Sequence, residues 1–494
     1  MHKRPDTQRA TTRRQFMQRA GLGATALVAS ACATRAQDLP ARRRADKRPN
    51  FVFILVDDMG WPDPACFGSP FHETPHIDRL AAQGMRFTDA YAACPVCSPT
   101  RASILSGQYP ARVGITDFIP GHWRPYAKLR VPWNRHQRLP DDVVTLAERL
   151  SEEGYTCGSF GKWHLGDPHT MPTDHGFAHS VVTSGWGHFG NRSRPDLGLG
   201  PDDYLTEVLA DLGSDFIATH RDEPFLLYLS HFAVHIPLEA REELIRKYQE
   251  KPKPDTGVNN PVYAAMVEHV DASVGRIMQA LEENDLADDT VVALYSDNGG
   301  LHLRYDGEGE IVSTNAPLRD EKGSLYEGGV RVPCVVRWPG RIAPGSVCDT
   351  PITSVDIYPT FLELADVEPA PDHVLDGVSL APLFAGATAL PREDIFWHYP
   401  HYHHTTPAGA MRSGPWKLIE FFEDGRLELY NLAEDIGESR DVSAEFPETV
   451  RALHERMVAW RERVGAELPV PNPDYDPERE GEWAPRHPSV QQPR

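Results

Sequence analysis

The sequence predicts an α/β protein in which helices sandwich a large, mixed but mostly parallel sheet, with a smaller antiparallel sheet and one helix added at the C-terminal end. Three observations lead there. Phe51–Val56 and Thr290–Ser296 are continuous apolar runs of strand length that stop abruptly at Asp57-Asp58 and at Asp297-Asn298-Gly299-Gly300, as buried parallel strands do. Helical periodicities alternate with such runs through most of the chain, the pattern of strands joined by helical crossovers. After about Leu390 the pattern changes to short strand-like stretches split by turn residues such as Glu423-Asp424-Gly425, which reads as an antiparallel meander.

Taken in order, residues 1–36 form an export signal and connector. Arg13-Arg14-Gln15-Phe16-Met17 precedes a modest apolar stretch, Gly21 to Ala31, which is too short to span a bilayer and resembles a twin-arginine export signal. Ala29-Ser30-Ala31-Cys32 at its end resembles a lipoprotein box with Ala29 where Leu is usual, so Cys32 is a candidate lipid anchor. Residues 48–390 form the main domain, with strands at 50–56, 225–230, 290–296 and 334–338 and helices at 77–83, 143–152, 204–220, 263–282 and 357–365. Residues 391–471 form the C-terminal antiparallel subdomain. Ile395–Tyr399, Gly409–Phe422 and Arg426–Leu432 are strand-like there, and Pro447–Val464 is a helix whose packing face carries Val450, Leu453, Met457, Val458 and Trp460. Residues 472–494, rich in Pro, Glu and Arg, read as an irregular tail. No segment is long and apolar enough to be transmembrane.

At 494 residues the chain exceeds one ordinary core and can bury a closed active site. Its formal net charge of −21 works against sequence-blind attraction to nucleic acid or anionic lipid, which depends on surplus Lys and Arg. An anionic ligand therefore needs a local basic pocket. Seven cysteines make no dense disulfide framework in a chain this size. Cys94 and Cys97 form a C-x-x-C, but Cys66, Cys157, Cys334 and Cys348 offer no second pair at zinc-like spacing.

Ligands of such sheets collect beyond the carboxyl ends of the strands, so the carboxylates after residues 56 and 296 are positioned to meet, far apart in sequence as they are. Cys97-Ser98-Pro99-Thr100-Arg101 is followed by the helix-like Ala102–Gly107. Pro99 suits a first helical turn, which puts Cys97 at the positive end of a helix where anions are favoured. This proposes a nucleophile facing an anionic substrate, with Arg101 as a charged clamp; a lone cysteine without further context would more often be a structural one.

The pentapeptide C-x-P-T-R with its downstream Leu105-Ser106-Gly107 resembles the signature of the type I, formylglycine-dependent sulfatases of the alkaline phosphatase superfamily. Further stretches match that family in its own order over nearly all of the chain after residue 50. The resemblance implies an alkaline-phosphatase-like fold and oxidation of Cys97 to formylglycine by a formylglycine-generating enzyme. The hydrated aldehyde then attacks sulfur and displaces the alcohol, and its second hydroxyl expels sulfate. Leu55–Gly60 and Ser296–Gly300 resemble the family's two metal motifs, which makes Asp57, Asp58, Asp297 and Asn298, with residue 97, the ligands of a calcium ion; hard oxygen donors suit calcium rather than zinc. Singly, each Asp would more often cap a turn.

Gly161-Lys162-Trp163-His164-Leu165-Gly166 is the second long match. It implies that Lys162 contacts the sulfate and His164 the formylglycine diol, a point charge and a tunable proton carrier on one irregular turn. His235 aligns with a histidine that contacts the sulfate or leaving oxygen, with Val234 where Pro is usual, and His231 nearby ranks lower. Lys322 aligns with a second sulfate-binding lysine, although Asp320 and Glu321 take places of smaller residues. Trp397–His404 is the densest histidine cluster, and His398, His401 and His403 are the expected contacts for substrate choice.

The resemblance thus implies an exported, periplasmic sulfatase acting on a sulfated saccharide, moved folded by the twin-arginine export machinery. Hydrolysis of phosphonate monoesters or phosphodiesters at the same formylglycine site is the alternative, and a non-catalytic carbohydrate-binding protein on the same fold is the reading from another class.

Overall fold

The structure, a computed structural model, describes residues 48–484 apart from 167–169, 185, 256 and 305. The twin-arginine stretch, Cys32 and residues 485–494 lie outside the described residues. From Arg48 onward the chain is one compact unit.

Its centre is a nine-stranded sheet. In chain order the strands are β1 (Asn50–Val56), β2 (Met85–Phe87), β3 (Thr156–Gly161), β4 (His179–Ser184), β5 (Arg192–Arg194), β6 (Phe225–Ser230), β7 (Thr290–Ser296), β8 (Cys334–Arg337) and β9 (Ser346–Cys348), and across the sheet the order is β9-β2-β8-β7-β1-β6-β3-β4-β5. The contiguous run β7-β1-β6-β3-β4 is parallel, while β8 and β5 run against their neighbours β7 and β4. All seven residues of β1 are buried, as an apolar run without alternation requires. Phe51, Phe53 and Leu55 face one side, packing with the helices Cys97–Ser106, Leu146–Glu152 and Ile357–Ala365. Val52 and Ile54 face the other, against Pro75–Gln83, Leu205–Thr219 and Pro261–Glu283. This is the three-layer sandwich that the alternating pattern predicts. Among the described residues no helix is long and apolar enough to cross a membrane.

The four strands β10 (Asp394–Tyr399), β11 (Ala408–Ser413), β12 (Trp416–Phe421) and β13 (Leu427–Asn431) form an antiparallel meander, and the helix Pro447–Val464 covers it through Leu453, Met457 and Trp460. The expected strand Gly409–Phe422 is two strands, because Gly414-Pro415 turns the chain. The meander shares one apolar cluster with the main layer, Trp397 and Tyr399 packing with Tyr91, Val96 and Tyr326. Several elements lay outside the sequence reading, among them the short strands β2, β4, β5 and β9, the strand β3, whose Gly-containing sequence hides its strand character, and the helix Glu242–Glu250, which has a single buried side chain. Between residues 472 and 484 the tail is irregular but anchored, Asn472 donating to the carbonyls of Pro125 and Ala127.

A buried ion cluster ties the meander to the main layer. Lys417, fully enclosed, lies 2.8 Å from Glu327 Oε1 and 3.0 Å from Glu438 Oε1, and Glu327 also accepts from the Tyr91 hydroxyl. Removing one partner of such a cluster leaves uncompensated buried charge. Lys417→Ala is expected to lower stability by about 3–5 kcal/mol in urea denaturation, and a loss below about 1 kcal/mol, the scale of an exposed pair, would show that the cluster is not a tie.

Candidate active site

Four neighbouring strands deliver the site. In the β1–β7 ladder Val56 pairs with Ser296, so Asp57 and Asp297 are the next residues on adjacent strands. The β3–β6 ladder ends with Gly161 opposite Ser230, which launches Lys162 from one strand and the segment to His235 from the other. Gly161 has φ 116°, and a Cβ there would lie 1.9 Å from the Ser230 carbonyl oxygen, so only glycine allows this close pairing. Asp58 and His164 also have positive φ, at 61° and 56°, unusual backbone that the site imposes.

The helix Cys97–Ser106 begins at the expected residue. Cys97 Sγ stands where an oxygen of an oxidised, hydrated side chain would stand, 3.2 Å from His164 Nδ1. His164 Nε2 lies 2.6 Å from the Ile119 carbonyl and must donate to it, which leaves the Nδ1 lone pair facing residue 97. Ser98 fixes both partners: its hydroxyl donates to the His164 carbonyl at 2.8 Å and accepts from Ile119 N at 3.0 Å. Burial, together with Lys162 and Arg101, holds His164 well below the usual imidazole range, so the ring is neutral. Burial pushes the Cys97 thiol up.

The buried charges are balanced. Lys162 pairs with Asp57, Lys322 Nζ lies 2.7 and 2.8 Å from the two Asp58 oxygens, and Arg101 donates from Nε and Nη2 to Asp297 Oδ2 at 2.9 and 2.7 Å. His235 Nε2 is 3.7 Å from Asp58 Oδ2, and its Nδ1 donates to the Ile236 carbonyl. Burial works against the Asp57 charge, but Lys162, His235, Arg101 and Lys322 outweigh it and hold that carboxyl far below the carboxylate range. Burial and then the Asp57 charge push Asp297 up to about 7 against the pull of Arg101. Burial pushes His235 down to about 4.

Two oxygens of this cluster, Asp57 Oδ1 and Asn298 Oδ1, are buried and accept no hydrogen bond within the protein. Ligand atoms of Asp57, Asp58 and His235 lie within 4.8 Å of one another, as do those of Asp57, Cys97 and Asp297. Orphaned oxygens among carboxylates are what a hard, oxygen-seeking cation satisfies, so the residues present fit the group that the metal motifs imply.

Asp57, Asp58, Cys97, Arg101, Lys162, His164, His235, Asp297, Asn298 and Lys322 therefore form one cluster. Arg101 differs in orientation from the expected clamp: fully buried, it spends its donors on Asp297, the Lys162 carbonyl and Ser230 Oγ, and so braces the acidic wall. His231 is apart, its Nε2 3.0 Å from the Ser273 hydroxyl. The histidine cluster is buried. His398 Nε2 meets the Glu467 carbonyl at 2.9 Å, His401 Nε2 meets Thr116 Oγ1 at 2.9 Å, and His403 packs behind Gly323, where a Cβ would lie 1.9 Å from its Nδ1. These contacts hold the loop behind Lys322; His404 Nδ1 reaches the Lys322 carbonyl itself.

Sequence reasoning missed Ser230, an Arg101 partner that reads as the last residue of an ordinary strand. It also missed Asn315. That side chain accepts from Gly300 N at 3.1 Å and donates to the carbonyls of Gly300 and Asp320 at 2.8 and 3.1 Å, joining the second metal motif to the Lys322 loop, and no local motif marks it.

A family model described as sulfatase matches residues 49–367. The chain belongs to the sulfatase family. A second model, N-sulphoglucosamine sulphohydrolase C-terminal, matches residues 320–463 of this sulfatase. A sulfatase of Formosa agariphila is 31% identical over 85% of this chain and 90% of its own. Human arylsulfatase A is 30% identical over 82% and 86%. The crystal structure of Ps i-CgsB in complex with k-i-k-neocarrahexaose superimposes with a TM-score of 0.73 at 28% identity, covering 87% of this chain and 95% of that one. The enzyme is a sulfuric ester hydrolase, a type I sulfatase of the alkaline phosphatase superfamily.

Arg101→Lys keeps the charge but not the planar fork that serves Asp297, Lys162 and Ser230 together. It is expected to reduce sulfate-ester turnover about a hundredfold or more, measured as kcat on an aryl sulfate; unchanged kcat would show that the brace is dispensable.

Proposed function

We propose that this sulfatase removes sulfate from a sulfated carbohydrate outside the cytoplasm, using a formylglycine made from Cys97 and a calcium ion held by Asp57, Asp58, Asp297 and Asn298 with residue 97. The observation that carries the reading is the pairing of Cys97 Sγ with the lone pair of His164 Nδ1, beside two orphaned carboxylate and amide oxygens. When present, the aldehyde hydrate would supply an oxygen nucleophile and calcium a Lewis acid for the sulfate oxygens.

The chain's own groups supply the rest. His164, its tautomer set by Ile119, accepts a proton at Nδ1 from a hydroxyl on residue 97. The Lys162 and Lys322 ammoniums pair with Asp57 and Asp58, and with those carboxylates holding a cation they would be free to bind the sulfate oxygens. His235 presents Nε2 toward the sulfate and leaving oxygen, because its Nδ1 is occupied by a backbone carbonyl. Arg101 donates twice to Asp297 and pulls against the burial that raises its carboxyl, favouring the charged form a metal ligand needs.

The carbohydrate assignment is supported by relatives. Dog N-acetylgalactosamine-6-sulfatase is 31% identical over 77% of this chain and 74% of its own, and Ps i-CgsB was crystallised with a neocarrahexaose. The Arg13-Arg14 signal adds export of the folded enzyme, so oxidation of Cys97 by a formylglycine-generating enzyme precedes transport to the periplasm, and Cys32 would anchor it if lipidated.

Sulfate release from sulfated galactan, fucan and glycosaminoglycan oligosaccharides, set beside cleavage of an aryl phosphodiester, tests the reaction. Release from one saccharide class with slower diester cleavage is expected; preferential diester cleavage would give the site to phosphodiester or phosphonate hydrolysis. Removal of calcium by EGTA should abolish turnover and lower the melting temperature, with both restored by calcium and not by zinc. His164→Ala should lower kcat by about 10²–10⁴ with little change in KM, whereas a change in KM alone would place His164 in binding.

A further inference from the structure

One large apolar side chain at the rim of this site stands open to solvent. Trp186 is 82% exposed, and among the described residues no other large apolar side chain exceeds 57%. A lone exposed leucine or valine is ordinary, but a tryptophan left this open loses the burial that its large ring would otherwise gain.

Its position follows from topology. β4 runs parallel to β3, with Val182 opposite Gly161, so the residues after Ser184 rise from the same carboxyl edge that carries Lys162. β5 returns antiparallel with Arg192 opposite Ser184, which makes the connection between them a hairpin standing over that edge. The hairpin is pinned to the site: His188 Nε2 donates to the backbone carbonyl of His235 at 2.8 Å, and His188 N donates to Glu239 Oε2 at 2.6 Å. Asn191 closes it from within by donating to the Gly187 carbonyl at 2.9 Å. The Trp186 ring thereby sits with its centroid 6.1 Å from that of His235, which also stacks on Phe232 at 5.1 Å.

A hydrogen-bonded turn thus places an open indole beside the imidazole assigned to the leaving-group side of the sulfate, with the exposed Arg192 at its base. We propose that Trp186 is a specificity-determining residue, a stacking platform for a sugar ring of the sulfated saccharide, with Arg192 available to a further sulfate on the same chain. This rests on the carbohydrate sulfatase reading and goes beyond it by locating the sugar subsite, in place of the buried His398, His401 and His403. A pyranose presents flat C–H faces that an indole covers, while a sulfated polymer carries repeated negative charge. An apolar plate and a cation, in a protein of net charge −21, match both features.

The test compares a substrate with a sugar and one without. Trp186→Ala is assayed on 4-nitrophenyl sulfate and on the galactan, fucan or glycosaminoglycan sulfate oligosaccharide that the wild type turns over fastest. KM for the oligosaccharide should rise about tenfold or more, kcat/KM for 4-nitrophenyl sulfate should stay within about twofold, and Trp186→Phe should recover most of the loss. Arg192→Ala should raise the oligosaccharide KM at low salt and lose that effect at high salt. An unchanged oligosaccharide KM in Trp186→Ala, or an equal loss on both substrates, overturns the proposal, the second by showing that the hairpin only supports His235. A wild type that hydrolyses 4-nitrophenyl sulfate but no saccharide overturns the carbohydrate reading, and this inference with it, while leaving the sulfatase reaction standing.

Discussion

Three carboxylates and three cations share one buried volume at the carboxyl edge of the central sheet, and the rest of the site is arranged to keep that balance. At an effective dielectric constant of about 20, two unit charges 4 Å apart interact by about 4 kcal/mol, enough to shift a carboxyl by several pKa units if its partner is lost. Asp57, Asp58 and Asp297 each have a dedicated cation in Lys162, Lys322 and Arg101. The three pairs are not equivalent. Arg101 is fixed by four hydrogen bonds, whereas each lysine holds its carboxylate through a single ammonium on a flexible stem. The guanidinium is thus suited to a permanent brace, and the lysines to partners that can be exchanged.

Sheet topology makes this density affordable. Parallel strands end at one edge, so β7, β1, β6 and β3 release their chains side by side, and residues more than two hundred positions apart become neighbours without long loops. The helix that starts at Cys97 adds its positive end to the same edge. The Lys322 loop is held from behind by His403 and His404 and from the side by Asn315, so the last cation is positioned by the C-terminal meander as well as by the main layer. The enzyme's overall negative charge is therefore no obstacle to an anionic substrate, because the field that matters is local and enclosed.

Much of this was legible in the sequence where local chemistry decides it. The strands 50–56, 225–230 and 290–296 and the helix Pro447–Val464 follow from apolar runs and periodicity, and the cluster around Cys97 from motifs that resemble those of the sulfatase family in order. What stayed hidden depends on partners distant in the chain. The strand Thr156–Gly161 is masked by two glycines, Gly158 facing the Phe216 ring and Gly161 the Ser230 carbonyl, partners distant in the chain. Arg101 reads as a clamp until Asp297 and Ser230 are seen to claim it. The run from His398 to His404 looks like a surface because histidine is polar, yet each ring finds a buried acceptor or packing partner that no spacing rule announces. Trp186, by contrast, has no sequence signal at all, since exposure is a property of the fold.

The account turns on residue 97 being the reacting group. The tryptic peptide Phe87–Arg101 contains both Cys94 and Cys97, so its mass spectrum carries an internal control. For active enzyme from a host with a formylglycine-generating enzyme, the account predicts an aldehyde or its hydrate at residue 97 and an unaltered thiol at residue 94. A fully active preparation in which residue 97 is still a cysteine thiol would contradict it.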